Sequence, residues 1–178
     1  MLAVVLGCSS LIPRGGNLFE GDNAAIAAAA IKKKVGTAKV RVIRGEIRPN
    51  VMKLVIQSEA NPKDQDEYTY ERGSVTGPEP VKIHKIFADN VHHATDIDEI
   101  NFAVLPKTLE RAKQLADPAG ATIDLVSMDN QYAKTADPRL TGEEGKAWAL
   151  TWRIFVEGTR SRTYFWAAKN GNLNEKAY

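Results

Sequence analysis

The sequence predicts an α+β fold made of two α-β-β-β units, with antiparallel sheets and the helices packed on one face. Two observations lead to this prediction. An alanine-rich helical segment is followed by segments in which apolar and polar residues alternate, and the same order recurs in the second half of the chain. Alternation with a period of two is typical of strands that bury one face. With 178 residues, of which 43% are hydrophobic, the chain is long enough for one ordinary domain.

The first predicted helix begins after Asp22, which is a suitable N-cap residue, and its run of alanines has a high helix propensity. Three lysines from Lys32 to Lys34 complement the negative end of the helix dipole, and Gly36 is placed to end the helix. Because alanine side chains are short, this helix is expected to pack closely against a flat partner such as a sheet.

Three strands are predicted to follow this helix. In the first strand the apolar residues switch from even to odd positions around Gly45, which indicates a β-bulge. The inward-facing residues are expected to be Val40 and Val42 in the first strand, Met52, Leu54 and Ile56 in the second, and Tyr68 and Tyr70 in the third. The Gly- and Pro-rich stretch 77–80 is expected to end this first unit.

The second unit is predicted to open with a short helix near Asp96 or Asp98 and a longer one from Pro106 to Ala116, because proline is tolerated only at a helix start. Its strands are indicated by three alternating apolar runs, with inward residues Ile123, Leu125 and Ser127, then Trp148, Leu150, Trp152, Ile154 and Val156, then a last strand within 160–168. The polar stretch from Asp129 to Gly145 is predicted to be a long loop.

The N-terminal segment Val5-Leu6-Gly7-Cys8 resembles a bacterial lipobox, in which the cysteine is lipidated and becomes the mature N-terminus. Cys8 is therefore the predicted lipidation site and is the only cysteine of the chain. No Lys or Arg precedes the run of six apolar residues, which is also shorter than in most signal peptides. The alternative is an ordinary apolar N-terminus with a buried thiol.

The chain is accordingly divided into a signal-like segment and tether at 1–21, a first repeat at 22–83, a connector at 84–95 and a second repeat at 96–178. The duplicated α-β-β-β pattern behind a lipobox-like segment resembles bacterial exported proteins of the PepSY-like type, most clearly in the run from Trp152 to Gly171. This resemblance implies an exported or membrane-attached module of the cell envelope without catalytic residues.

The sequence contains no convincing catalytic or metal-binding motif, so neither an enzyme nor a cofactor is predicted. Gly73-Ser74 lacks the second glycine of a nucleophile elbow. The one cluster of metal-ligand residue types is His92-His93 with Asp96, Asp98 and Glu99. Adjacent histidines in an extended segment point in opposite directions, and the acidic residues are better explained as helix N-terminal charges. No metal site is therefore predicted.

Charge is unevenly distributed, with eight basic residues and one acidic residue between Lys32 and Lys53, followed by an acidic stretch from Glu59 to Glu71. Cross-strand ion pairs between neighbouring strands would account for this pattern. The alternative is a basic face toward anionic lipid headgroups. The net charge of +2 is too small to favour nucleic-acid binding.

Candidate binding residues gather in the second unit, where Trp, Tyr and Arg, the residue types enriched at interface hot spots, occur on adjacent predicted strands. These residues are Arg153, Arg160, Arg162, Tyr164 and Trp166. The leading hypothesis is a lipid-anchored envelope protein that binds a protein or peptide through its sheet surface or through the loop 129–145. The alternative is a carrier that holds an apolar small ligand between sheet and helix.

Overall fold

The computed structural model describes residues 16–82, 94–117, 119–131 and 149–174 of the chain. Its first half contains helix α1 and four strands. Their bounds are α1 Asn23–Val35, β1 Arg41–Arg48, β2 Val51–Gln57, β3 Gln65–Glu71 and β4 Ser74–Pro80. The second half contains the short strand β5, two 3-10 turns, helix α2 and three long strands. Their bounds are β5 Thr95–Asp96, the turns Ile97–Glu99 and Phe102–Val104, α2 Leu105–Ala116, β6 Thr122–Gln131, β7 Ala149–Glu157 and β8 Arg162–Ala168.

All strands of the described residues belong to a single antiparallel sheet with the order β4-β3-β2-β1-β6-β7-β8, and β5 pairs with the start of β1. The two halves of the chain therefore meet at the centre of the sheet, where β1 lies beside β6. Each half contributes a helix followed by a meander of strands. The predicted α+β class, with antiparallel strands and helices on one face, is confirmed; the two meanders share one continuous sheet, and four strands rather than three follow α1.

The helices cover one face of this sheet. Helix α1 contacts β2, β3 and β4, and helix α2 contacts β6, β7 and β8. Both halves contribute side chains to the same core, and its largest fully buried members include Trp152, Phe165, Leu54 and Ile31. The ring of Phe102, in the second 3-10 turn, stacks on Trp152 at 6.2 Å between centroids.

Several predictions of local structure are confirmed. Helix α1 ends at Gly36, which adopts a left-handed conformation with φ of 76°. The register of β1 against β2 shifts between Val42 and Arg44, which is the bulge that the parity change near Gly45 indicates. Asp22 occupies the N-cap position of α1, but its side chain makes no capping hydrogen bond, so that part of the prediction is wrong.

Other boundaries differ from the sequence predictions. Residues 77–80 belong to β4, because an edge strand tolerates prolines that a central strand does not. Residues 129–131 continue β6, so the predicted loop begins later, and 132–145 lies outside the described residues. The short helix predicted near Asp96 is replaced by the two 3-10 turns.

A second bulge explains an error in the predicted facing of β6. The register of β6 against β7 shifts between Ile123 and Leu125. Ile123 faces the core as predicted, but beyond the bulge Val126 and Met128 take the core positions. Leu125 and Ser127 consequently lie on the opposite face, because a one-residue shift exchanges the two faces of a strand.

Candidate functional site

The face of the sheet opposite the helices is the candidate functional surface, and we call it the open face. Along β7 and β8, residues alternate between the core and this face. Trp152, Ile154 and Phe165 are fully buried in the core. Their neighbours along the strands, Arg153 and Trp166, are half-buried on the open face. The alternation leaves a connected set of large side chains that no described helix covers.

Four residues form an aromatic cluster on the open face: Arg153, Phe155, Tyr164 and Trp166. Arg153 lies directly opposite Trp166 across β7 and β8, and Phe155 lies opposite Tyr164. The guanidinium carbon of Arg153 is 5.0 Å from the Phe155 ring centre and 5.6 Å from that of Trp166. Tyr164 meets Trp166 edge-on, with ring centres 6.3 Å apart. Such cation–π contacts hold the guanidinium in place at roughly 0.5–1 kcal/mol each.

A central groove of about 420 Å³ lies beside the aromatic cluster on the open face. Three basic and three acidic side chains dominate its lining, which consists of Arg44, Gly45, Glu46, Lys53, Val55, Glu67, Ser127, Asp129 and Arg153. Because Arg153 lines the groove and also stacks on the aromatic rings, the groove and the aromatic cluster form one continuous surface. The Nε–H of Arg153 donates a hydrogen bond to Ser127 Oγ at 3.4 Å.

The predicted cross-strand pairing of charges is observed in the central groove. Lys53 on β2 makes an ion pair with Glu67 on β3, with 3.1 Å between Nζ and Oε1. Lys53 and Arg44 belong to the basic stretch of the sequence, and Glu67 belongs to the acidic stretch that follows it. Pairs of this kind are worth little at a surface, so they neutralise the groove more than they stabilise the fold.

Asp129 has the most perturbed environment in the groove. It lies directly opposite Arg44 in the pairing of β1 with β6. Burial raises the pKa of Asp129 above its usual value, while Arg153 and Arg44 oppose this rise and Glu46 adds to it. The carboxylate is thus partly desolvated between two guanidinium groups, and its loss of hydration outweighs their attraction.

The structure brings four of the five predicted binding residues to one region. Arg153, Tyr164 and Trp166 belong to the aromatic cluster, and Arg162 lies on the same strand, where its Nε is 2.7 Å from Glu157 Oε2. Arg160 lies in the exposed turn between β7 and β8. Their role in binding stays a prediction.

Sequence reasoning missed Phe155 and the central groove. Phe155 directly follows the buried Ile154 and is three positions after the buried Trp152. Strand alternation alone therefore places Phe155 on the open face. The groove is different, because it joins β1 to β6 across more than 80 residues of sequence.

The acidic residues that follow His92 and His93 have structural partners. The Asp96 side chain accepts a hydrogen bond from the Asp98 N–H at the start of the first 3-10 turn. Asp98 and Glu99 form ion pairs with Lys32 and Lys169. Within the described parts of the chain, no three His, Cys, Asp or Glu side chains are grouped so as to hold a metal ion. Cys8, His84, His92, His93 and Trp148 lie outside the described residues.

Comparison with known proteins shows a shared fold. No family model matches the chain, and no curated protein matches it. The chain is similar to the crystal structure of a putative lipoprotein from Clostridium difficile 630, with a TM-score of 0.55 and 13% sequence identity. The similarity covers 91% of this chain and 97% of the other. At this identity the comparison establishes the architecture alone. None of the described helices has the length and apolar character needed to cross a membrane.

Proposed function

We propose that this protein is a non-catalytic, exported component of the bacterial cell envelope, anchored by a lipid on Cys8, which binds a protein or peptide partner through its open face. The observation that carries the binding role is the aromatic cluster, in which Arg153 is held between two rings on a face that the helices leave uncovered. Rigid aromatic and arginine side chains at the centre of a surface are typical of binding hot spots.

Two independent observations support the anchor. The sequence around Cys8 resembles a lipobox, and the fold is shared with a putative lipoprotein from Clostridium difficile 630. A lipid on Cys8 would hold this domain at a membrane surface.

The finer assignment to PepSY-like tandem repeats is part of the same proposal. Its support is the repeated register of the sheet, in which the first strand of each unit carries a bulge at the equivalent place. The first unit adds β4, which has no counterpart among the described strands of the second unit.

The anchor is tested by intact-mass analysis of the protein expressed from its own gene and recovered from the bacterial envelope. The expected product begins at Cys8 and carries the mass of a diacylglycerol. A Cys8→Ala variant is the control and should remain unprocessed. An unmodified chain that retains the residues before Cys8 would contradict the proposal.

The binding role is tested by photo-crosslinking in the same cells. Tyr164 on the open face and Ile26 on helix α1 are both 37% exposed, so they form a matched pair of sites. A photoreactive benzoylphenylalanine is introduced at one site or the other. We expect a discrete adduct from position 164 that is lost when Arg153→Ala is added, and none from position 26. Equal labelling from both sites would argue against the open face.

A further inference from the structure

The described chain enters the domain at one end of the sheet. The Leu18 N–H donates a hydrogen bond to the Pro49 carbonyl at 2.6 Å, and Leu18 itself is 1% exposed. Pro49 and Asn50 form the turn between β1 and β2. The chain at Leu18, ten residues after Cys8, is therefore held beside this turn.

Strand directions define two ends of the sheet. The turn at Pro49–Asn50, the turn at Arg72–Gly73 and the turn at 158–161 lie at the same end, which we call the turn end. Antiparallel pairing places the connection between β2 and β3 at the opposite end, which we call the far end. Gln131 and Ala149, which flank the undescribed stretch 132–148, also pair with each other at the far end.

The number of residues between Cys8 and the described domain limits how far any part of the domain can lie from a lipid on Cys8. Cys8 lies eight positions before Gly16. A chain of this length reaches at most about 28 Å when fully extended. Strand β2 alone, with seven residues, is about 23 Å long. Only an almost fully extended segment could therefore span the sheet from one end to the other.

We infer that the turn end is the surface that meets the membrane, so that the far end points away from it and the open face faces sideways, uncovered by the membrane. This inference rests on the proposed anchor at Cys8. Each of the three turns at the turn end brings an exposed arginine, namely Arg48, Arg72 and Arg160, of which Arg72 pairs with Glu71 at 3.7 Å. Arginines beside a lipid anchor favour anionic headgroups, at roughly 1 kcal/mol for each basic residue near the surface.

The exposed lysines Lys33, Lys34 and Lys39 lie at the far end, because α1 runs from the turn end to the region where Lys32 meets Asp98. In an anchored protein with this orientation, these three lysines would not face the lipid headgroups, although they belong to the basic stretch 32–53. They are available to a partner in the aqueous compartment instead.

Two single-cysteine variants test this orientation. Asn50→Cys lies at the turn end and Ala60→Cys at the far end, and both positions are exposed and separated by strand β2. Each acylated protein is labelled with the same fluorophore and reconstituted into phosphatidylcholine vesicles that contain a headgroup-attached spin-label quencher. Because β2 separates the labels by about 23 Å, we expect quenching at position 50 to exceed that at position 60 by about twofold or more.

Equal quenching at the two positions, or stronger quenching at position 60, would overturn the orientation. The intact mass of the same samples separates this failure from that of the anchor. A chain acylated on Cys8 with the wrong quenching order refutes only the orientation, whereas a chain without acylation refutes the proposed anchor and the orientation with it. Repeating the experiment with Arg48→Gln and Arg160→Gln in phosphatidylglycerol vesicles should reduce quenching at position 50.

Discussion

Glu46 on β1 lies directly opposite Ser127 on β6, and this pair is the point about which the two halves of the sheet match. The bulge of β1 lies at Ile43, three residues before Glu46. The bulge of β6 lies at Asp124, three residues before Ser127. Glu46 also faces Lys53 on β2, just as Ser127 faces Arg153 on β7. The register is therefore that of two similar meanders related by rotation about the middle of the sheet.

This correspondence pairs core positions that share little sequence. Counting outward from Lys53 and Arg153, Met52 corresponds to Trp152 and Leu54 to Ile154, and all four are fully buried. Gly45 corresponds to Val126 in the same way, although one is the smallest residue and the other is branched. The difference in size has a local cause that leads to the first prediction.

Gly45→Ala is expected to destabilise the protein by about 1–3 kcal/mol, as overpacking of a core does. A Cβ at this position would lie 2.6 Å from the Met128 Cε, 2.7 Å from Leu54 Cδ2 and 2.9 Å from the Lys53 carbonyl oxygen. The carbonyl belongs to the paired strand and cannot move without disturbing the sheet. Chemical denaturation measures the change, with Ser74→Ala on the exposed edge strand β4 as the control. A Gly45→Ala variant as stable as the parent would show that β2 can shift away from position 45 without a measurable loss of stability.

Neighbouring aromatic residues on opposite faces of β8 are expected to differ in their contribution to stability. Phe165 is 0% exposed, so Phe165→Ala should cost about 3–5 kcal/mol by removing a large core side chain. Tyr164 is 37% exposed, and Tyr164→Ala should cost about 0.5–1.5 kcal/mol through its aromatic contacts. Thermal unfolding of the two variants gives the comparison. If Tyr164→Ala cost as much as Phe165→Ala, the open face would be part of the core and unsuitable as a binding surface.

Much of the fold was predictable because its signals are local. The alanine run and Gly36 define α1, Pro106 marks the start of α2 to within one residue, and the parity change near Gly45 indicates the β1 bulge. The second bulge was missed because Asp124 and Leu125 preserve a plausible alternation with Ile123. Strand β4 was missed because its glycine and prolines argue against a strand unless the strand is known to lie at an edge.

The candidate site was predictable only in part, for a similar reason. Arg153, Tyr164 and Trp166 belong to one hairpin, so alternation alone places them on one face. Asp129 and Arg44 become neighbours only because β1 pairs with β6 rather than with a strand next to it in sequence. No spacing rule within the sequence indicates that pairing, and the central groove depends on it.

Asp117 is expected to stabilise the junction between α2 and the β7–β8 turn. Its Oδ2 accepts hydrogen bonds from the Thr159 N–H at 2.9 Å and the Thr159 hydroxyl at 2.7 Å. These bonds, with a further one from the Ala119 N–H, hold the pKa of Asp117 below its usual value of 3.8. The stabilisation is therefore present above that value and is lost as the pH falls through the lowered pKa.

Asp117→Ala should accordingly lower the unfolding temperature at neutral pH, and the difference from the parent should shrink in strong acid. Asp22→Ala is the matched control, because Asp22 is the N-cap residue of α1 but its side chain makes no capping hydrogen bond. Thermal unfolding at neutral and at acidic pH measures both effects. A loss in Asp22→Ala as large as in Asp117→Ala would mean that the Thr159 contacts contribute nothing specific.

Asp129→Asn is expected to stabilise the protein at neutral pH, which is the opposite of what removing a charge between two arginines would ordinarily do. Burial raises the pKa of Asp129 in the folded state, so folding disfavours its ionised form even with Arg153 and Arg44 nearby. The corresponding stability is fully present below the ordinary Asp value of 3.8 and is lost as the pH rises through the raised pKa. The neutral amide avoids this loss while keeping the shape of the side chain.

The free energy of unfolding of Asp129→Asn should therefore rise relative to the parent as the pH increases from the ordinary Asp range toward neutrality, and the two proteins should converge in acid. Urea titrations at a series of pH values give this difference directly. Asp124→Asn, an exposed change on the same strand, is the control and should follow the parent throughout. If Asp129→Asn were instead less stable at neutral pH, the attraction of the two guanidinium groups would exceed the cost of burial, and the groove would be held together by its charges.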